Sequence, residues 1–325
     1  MWLANNPLQA AQLSISNPPA GARWFQSESN VITWQDTGSS AAGYEVRLDR
    51  GNGKWVKLGS AGKSAKSFTW RTTGPATESA VISVVALNAK GAQLSTGASG
   101  PFQVVLPATS FSGMTWKVRP AGTGGPGPNH WDAHAAWIDS KGFLHLRIFK
   151  ANGQWKCGEV ETTKKLGFGE YRFWVDGRID RLDKNLVLGL FPYPNADVGP
   201  DGTHEIDIEF ARWGGNAPIG NYTVWPTTPN LKQTTFAFEF TLNGDFSTHV
   251  FTWMQKSILF QSLHGHYDDN TNEFSSWLFA PNDATARVSG AAMPMHINFW
   301  LFQGKPPTDG KEAEIVIEKF SFKPA

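Results

Sequence analysis

The sequence predicts an all-β protein of two domains: an immunoglobulin-like or fibronectin-type β-sandwich over residues 1–107, then a larger β-jelly-roll sandwich over residues 108–325. Three observations carry this. Short apolar or alternating runs bounded by Gly, Pro, Asn and Asp recur along the whole chain, and no stretch shows sustained helical periodicity with caps. The composition is rich in glycine (33), phenylalanine (22) and tryptophan (15) with only 18% charged residues, which suits stacked sheets with aromatic cores. The segment Leu106-Pro107-Ala108-Thr109-Ser110 interrupts the strand pattern and marks the boundary.

In chain order, residues 1–11 read as a poorly tied terminus. Strand-like runs then follow at Val31–Trp34, Tyr44–Leu48, Trp55–Leu58, Ser67–Trp70, Ala80–Ala86 and Phe102–Val105. Turn sequences such as Arg50-Gly51-Asn52-Gly53-Lys54 separate them. About seven short strands in a segment of this length fit an immunoglobulin-like sandwich. This segment contains no paired carboxylates, histidine cluster or glycine-rich loop, so the default role is a spacer. Trp34 and Trp70 fall inside strand patterns and are expected in the core.

The second domain opens with Trp116-Lys117-Val118 and a loop, Gly122–Asn129, whose prolines remove the backbone donors that a phosphate cradle needs. Strands are expected at Leu144–Ile148, Gly169–Val175, Leu186–Phe191, Glu205–Phe210, Tyr222–Trp225 and Phe236–Leu242. More follow at His249–Met254, Ile258–Gln261, Met295–Phe302 and Glu314–Phe322, a pattern that gives curved antiparallel sheets stacked as a jelly roll. Asp268–Ala292 reads as a long irregular loop, a candidate wall or lid for a cleft.

The most informative stretch is Glu205-Ile206-Asp207-Ile208-Glu209-Phe210. Its strict alternation makes a strand with one apolar face and one carboxylate face. Structural strands avoid three same-face acids without an interleaved base, because they repel one another. Four residues of extended strand span roughly 13 Å between Cα atoms. If Glu205 and Glu209 lean together, their carboxyl groups close to about 5–5.5 Å, the separation that retaining glycosidases use. Asp207 then stands between them, within hydrogen-bonding reach.

This stretch resembles the signature of glycoside hydrolase family 16, in the form without a β-bulge found in lichenases and xyloglucan-active members. Cys157-Gly158-Glu159-Val160 through Lys165–Tyr171 resembles the family's strand, glycine-aromatic-glycine turn and next strand. Leu188–Tyr193 is similar to its cleft-lining strand, and Thr248–Trp253 and Met295–Trp300 to two later strands. The resemblance covers about residues 108–325 in the family's order and implies a concanavalin-like jelly roll. It implies an endo-acting retaining β-glycosidase, with Glu205 as nucleophile, Glu209 as general acid/base and Asp207 tuning the pair. The substrate-binding residues implied are Glu159, Phe191, Asn298 and Trp300, and by a looser match Asn221 and Trp225. Asn129, His130 and Trp131 fall near one rim of the cleft in this pattern. The chain departs from it at Thr203-His204, where lichenases carry Trp-Asp. It departs again at Glu161, where they carry arginine. These changes leave the acidic triplet intact and put the polysaccharide in question. A β-1,3/1,4-glucan is the first expectation, with xyloglucan and red-algal galactans as alternatives. A transglycosylase or a non-catalytic carbohydrate-binding protein are the rival functions.

Other classes are excluded or disfavoured. A net charge of +1 gives no bulk attraction to nucleic acid or to anionic membranes. No run of 18 apolar residues is present to span a membrane. The single cysteine, Cys157, allows no intrachain disulfide and is expected to be a buried hydrophobe. No Gly-x-Ser-x-Gly occurs, and His264-Gly265-His266 lacks helical metal-ligand spacing, so no catalytic metal or cofactor is expected. A structural Ca²⁺ is compatible with such sandwiches, but the sequence does not place one. Polysaccharide is the expected partner and a monomer the expected state. Met1–Asn6 lacks the regions of a signal peptide, so a secreted or periplasmic location would rest on an export signal outside this sequence.

Overall fold

The computed structural model describes residues 12–38 and 40–325, so the expected loose terminus at residues 1–11 lies outside it. Between Leu106 and Pro107 the chain divides into two compact units. Both are built from strands, and the one α-helix among the described residues is a single turn, Ala284–Arg287.

In the first unit, Gln12–Asn17, Ser29–Thr37 and Ser67–Arg71 form one antiparallel sheet. The second sheet runs in the order Phe102–Pro107, Thr77–Leu87, Gly43–Asp49, Val56–Gly62. Gln93–Ala98 pairs on Thr77–Leu87, and Arg23–Phe25 pairs in parallel with Phe102–Pro107. The apolar residues of each strand meet in one core around Trp24, Trp34, Trp70, Phe102, Val46 and Val84. Trp34 and Trp70 are therefore core side chains. Gln93–Ala98 carried no strand signal because it is small, polar and mostly exposed; pairing with its neighbour makes it a strand.

The second unit is a sandwich of two antiparallel sheets. The sheet that bears the acidic triplet contains, in chain order, β1 (Ser110–Phe111), β2 (Met114–Val118), β3 (Gly158–Leu166), β4 (Leu186–Pro192), β5 (Ile206–Ala211), β6 (Gly220–Val224), β7 (Thr234–Phe238) and β8 (Met293–Leu301). Their spatial order is β1-β2-β3-β8-β4-β5-β6-β7. The facing sheet runs Glu273–Phe279, Ile258–His264, Phe246–Trp253, Gly169–Asp176, Ala313–Pro324, Leu144–Ala151, Ala136–Ile138.

β4 and β8 are buried along their whole length, although only one face of each meets the core. Their other face is the floor of a cleft. Ile206, Ile208 and Phe210 of β5 are fully buried. Phe210 packs on His249 at 4.5 Å, and Tyr222 of β6 stacks on Phe260 at 4.9 Å, so aromatic rings join the two sheets. Burying rings of this size is the largest stabilising contribution available to such a sandwich.

One expectation is overturned. Asp268–Ala292 is not an irregular loop: Glu273–Phe279 is an edge strand paired with Ile258–His264, and Ala284–Arg287 is helical. Trp277 stacks on Phe260 at 5.5 Å and on Phe236 at 5.9 Å, a tertiary support that the sequence did not display. The segment does not line the cleft.

Candidate active site

β5 carries the acids because its pleat sends every second residue to the cleft. Asp207 and Glu209 lie on the strand, whereas Glu205 stands one residue before it. Its carbonyl still accepts from the Trp225 backbone N–H at 2.9 Å, so the pairing extends past the strand end. His204 takes a positive φ of 66°, unusual for a residue with a side chain. Its ring turns to Ser289, with Nδ1 2.9 Å from the hydroxyl, and takes no place among the cleft residues.

Register places the remaining residues. Asn298 of β8 lies opposite Glu159 of β3 on one side and Gly189 of β4 on the other. Gly189 in turn lies opposite Glu209, and Glu209 opposite Asn221 of β6. One transverse row thus runs across five strands. Gly189 is needed there, since a Cβ would come to 2.5 Å from Asn298 Oδ1.

The cleft above this row has a volume of about 640 Å³ and is lined by Glu205, Asp207 and Glu209. Of the expected binding residues, Glu159, Phe191, Trp225, Asn298 and Trp300 also line it. Asn221 does not. Its amide donates to the carbonyls of Ala211 and Ile219, both at 3.3 Å, which fastens the β5–β6 turn. Asn129, His130 and Trp131 are likewise not lining residues, and Gly125 and Pro126 of the same loop take that place. Asn129 Nδ2 is spent on the carbonyls of Pro126 and Leu301. Sequence reasoning missed Arg119, Tyr193, Asp201, Trp213 and His296 as cleft residues. Trp213 had a readable signal: a tryptophan before Gly214-Gly215 in the turn that follows the acidic strand.

The acids are a coupled set. Asp207 is 2% exposed and accepts from Trp225 Nε1 at 2.8 Å. Burial, then the Glu205 charge and a hydrogen bond to it, hold the Asp207 carboxyl well above its usual range. It is therefore the protonated partner that donates to Glu205. Glu209 is also held well above its range, by burial first and then by Asp207. Glu205 is raised by burial and by Glu209, Asp201 and Glu159, while the hydrogen bond from Asp207 pulls it back. Glu205 and Glu209 keep part of their surface open to the cleft, yet protein encloses them closely enough to penalise charge. Three such groups cannot all ionise; Glu205 is pushed up to about 8 and the other two are held well above their ordinary values, so Glu205 is placed to lose its proton first.

Glu159 behaves oppositely. Burial opposes its charge, but His296, Arg119 and Asn298 together hold its carboxyl below the usual range. Arg119 donates to it at 3.1 Å and lies 4.0 Å over the Trp131 ring. Among the described residues no group of three metal-ligating side chains is present. His266, one half of the His264-Gly265-His266 motif, instead meets the Val175 carbonyl at 3.0 Å through Nε2.

No family model and no curated protein sequence matches the chain. Solved structures do. A β-glucanase of Bacillus licheniformis superposes with a TM-score of 0.51 at 16% identity, over 67% of this chain and 96% of that one. A Mycobacterium tuberculosis protein described as an immunostimulatory antigen and pseudo β-1,3-glucanase gives 0.51 at 17% identity, over 67% and 95%. At such identities the likeness is one of fold. The second unit is a jelly-roll-like sandwich of the kind those proteins share.

Proposed function

We propose that the second unit is a retaining endo-glycoside hydrolase of the family 16 type, cutting a β-linked glucan with β-1,3 or mixed β-1,3/1,4 linkages. The observation that carries this is the placement of Glu205, Asp207 and Glu209 together on the cleft floor, with Asp207 buried between two part-exposed glutamates and held by Trp225 Nε1 at 2.8 Å. Glu205 attacks the anomeric carbon, and Glu209 gives its proton to the departing glycosidic oxygen. The ester to Glu205 is then broken by water, which Glu209, now ionised, deprotonates. No cofactor is needed for these steps. The fold of the Bacillus licheniformis β-glucanase supports the glucan assignment. The cleft opens along the sheet, with Arg119 and Glu161 at one side and Trp213 and Trp225 at the other, which suits internal cleavage of a long chain.

The first unit is proposed as an immunoglobulin-like or fibronectin-type spacer, and the protein as a secreted monomer that degrades polysaccharide. A second reading is non-catalytic glycan binding, favoured by the description of the mycobacterial neighbour as a pseudo-glucanase. Reducing-sugar release from mixed-linkage glucan, β-1,3-glucan, xyloglucan and agarose separates the two. Oligosaccharides from a glucan support the enzyme. Binding without release, in a protein whose Glu205→Gln variant binds equally, supports the alternative.

A further inference from the structure

His296 of β8 occupies a position that the acidic triplet does not use. Its ring lies nearly parallel to Phe191, with centroids 5.3 Å apart and 23° between planes, and meets Tyr193 edge-on at 5.7 Å. Nδ1 is 3.3 Å from Glu159 Oε1, and Nε2 is 3.4 Å from Glu161 Oε2. The residue is 7% exposed, and Nε2 is buried without a hydrogen bond. A neutral imidazole has one N–H, so it can serve one carboxylate while its lone pair faces the other. An imidazolium donates to both.

The two glutamates are not equally free. Glu159 is held by Arg119 at 3.1 Å and Asn298 at 3.4 Å, both on Oε2. Glu161 is more exposed, and its other ion-pair partner is Lys117 at 3.1 Å, itself 67% exposed. Further charged or titratable groups at this end of the cleft are Tyr193, Asp201 and Glu205; Tyr193 donates to Asp201 at 2.7 Å. Apart from the exposed Lys117, none of these donates to Glu161.

We propose that His296 is a positioning residue whose imidazolium bridges Glu159 and Glu161, so that its protonation fixes Glu161 at the cleft wall and sets glycan affinity. Loss of the second proton turns a lone pair towards Glu161, which swings out. A fixed carboxylate meets a sugar hydroxyl without an ordering cost, whereas a free one must be immobilised first. KM therefore rises when His296 loses its second proton, while kcat follows the acidic triplet. This inference rests on the glycoside hydrolase reading for its kinetic arm alone.

The test uses the full chain. The His296 imidazole signals are assigned by their loss in His296→Gln and followed against pH by NMR, in the parent and in Glu161→Gln. The bridge requires the proton to leave at lower pH in Glu161→Gln, and coincident curves overturn it. In parallel, KM and kcat are measured on the glucan that is turned over, from about pH 5 to 8. The parent should show a KM rise of roughly five- to tenfold, and both His296→Gln and Glu161→Gln a flat KM, with each kcat profile keeping its shape. An unchanged KM profile in His296→Gln overturns the inference. Absence of turnover on every glycan refutes the functional reading instead, and the NMR curves still decide the bridge.

Discussion

The indole Nε1 of Trp225 donates to Asp207 Oδ2 at 2.8 Å, and the backbone N–H of the same residue donates to the Glu205 carbonyl at 2.9 Å. One residue at the end of β6 thus holds both ends of the Asp207–Glu205 pair. With the indole on one oxygen of Asp207, the proton is left on the other, where it meets Glu205. In the proposed mechanism, the orientation of the Asp207 carboxyl is thus set by a side chain that carries no charge.

Trp225→Phe keeps the ring and the backbone bond and removes only the indole donor. A buried acceptor left without its donor costs about 1–3 kcal/mol. We expect kcat to fall roughly ten- to a hundredfold with KM changed less. Steady-state kinetics on a soluble glucan check this. An unaltered kcat would show that the indole does not order the pair.

Glu209→Ala removes the proton donor and should slow cleavage of natural glucan by about 10²–10⁴. An activated aryl glycoside, which needs no proton, should be far less affected in its first step. Added azide should then give a β-glycosyl azide. Glu205→Ala should lose the covalent route altogether. The first anomer released by the parent, seen by NMR, should be β, and an α product would refute the assigned roles.

Asp207 has a folded-state pKa raised above its unfolded value, so the folded protein holds the extra proton. Stability from this group falls as pH rises from the ordinary aspartate range towards the raised value. Asp207→Asn has no such loss, since its amide mimics the protonated acid. The variant should melt higher than the parent at pH 8, and the gap should close near pH 4. Activity should drop, because the amide cannot release a proton. Melting curves at both pH values read the effect, and an equal gap at each would contradict it.

His249 titrates in the opposite sense. It sits in the core beneath Phe210, with Nδ1 2.8 Å from Ser262 Oγ and Nε2 2.9 Å from Ser247 Oγ. Burial depresses it from 6.5 to about 3. The unfolded chain therefore binds a proton that the folded one refuses, and stability falls as pH drops from 6.5 towards 3. The loss amounts to a few kcal/mol in order of magnitude. His249→Gln should be less stable at pH 7 through poorer packing, yet lose less than the parent between pH 6.5 and 4. Urea unfolding at a series of pH values measures both slopes; equal slopes would rule the histidine out.

Much was legible because it is written locally. Period-2 alternation places Ile206, Ile208 and Phe210 in the core and the acids on the other face. Where a strand has little side-chain pattern of its own, as at Gln93–Ala98 and Glu273–Phe279, only pairing with a neighbour makes it visible. Asn221 shows a related limit. Register sets it opposite Glu209 on the adjoining strand, but its amide donates to the backbone carbonyls of Ala211 and Ile219, and it does not line the cleft.

The sequence by itself determined the all-β class and the alternating acidic strand at its centre, because both follow from interactions between residues close in the chain. Only the tertiary structure decided which groups surround those acids. Arg119, the residue after β2, and His296 of β8 are far apart in sequence and meet at Glu159 through the register of β2, β3 and β8. A carboxylate's charge depends on burial and on neighbours within a few ångströms. Those neighbours are chosen by how strands pair, so the protonation pattern of the cleft exists only in the folded molecule.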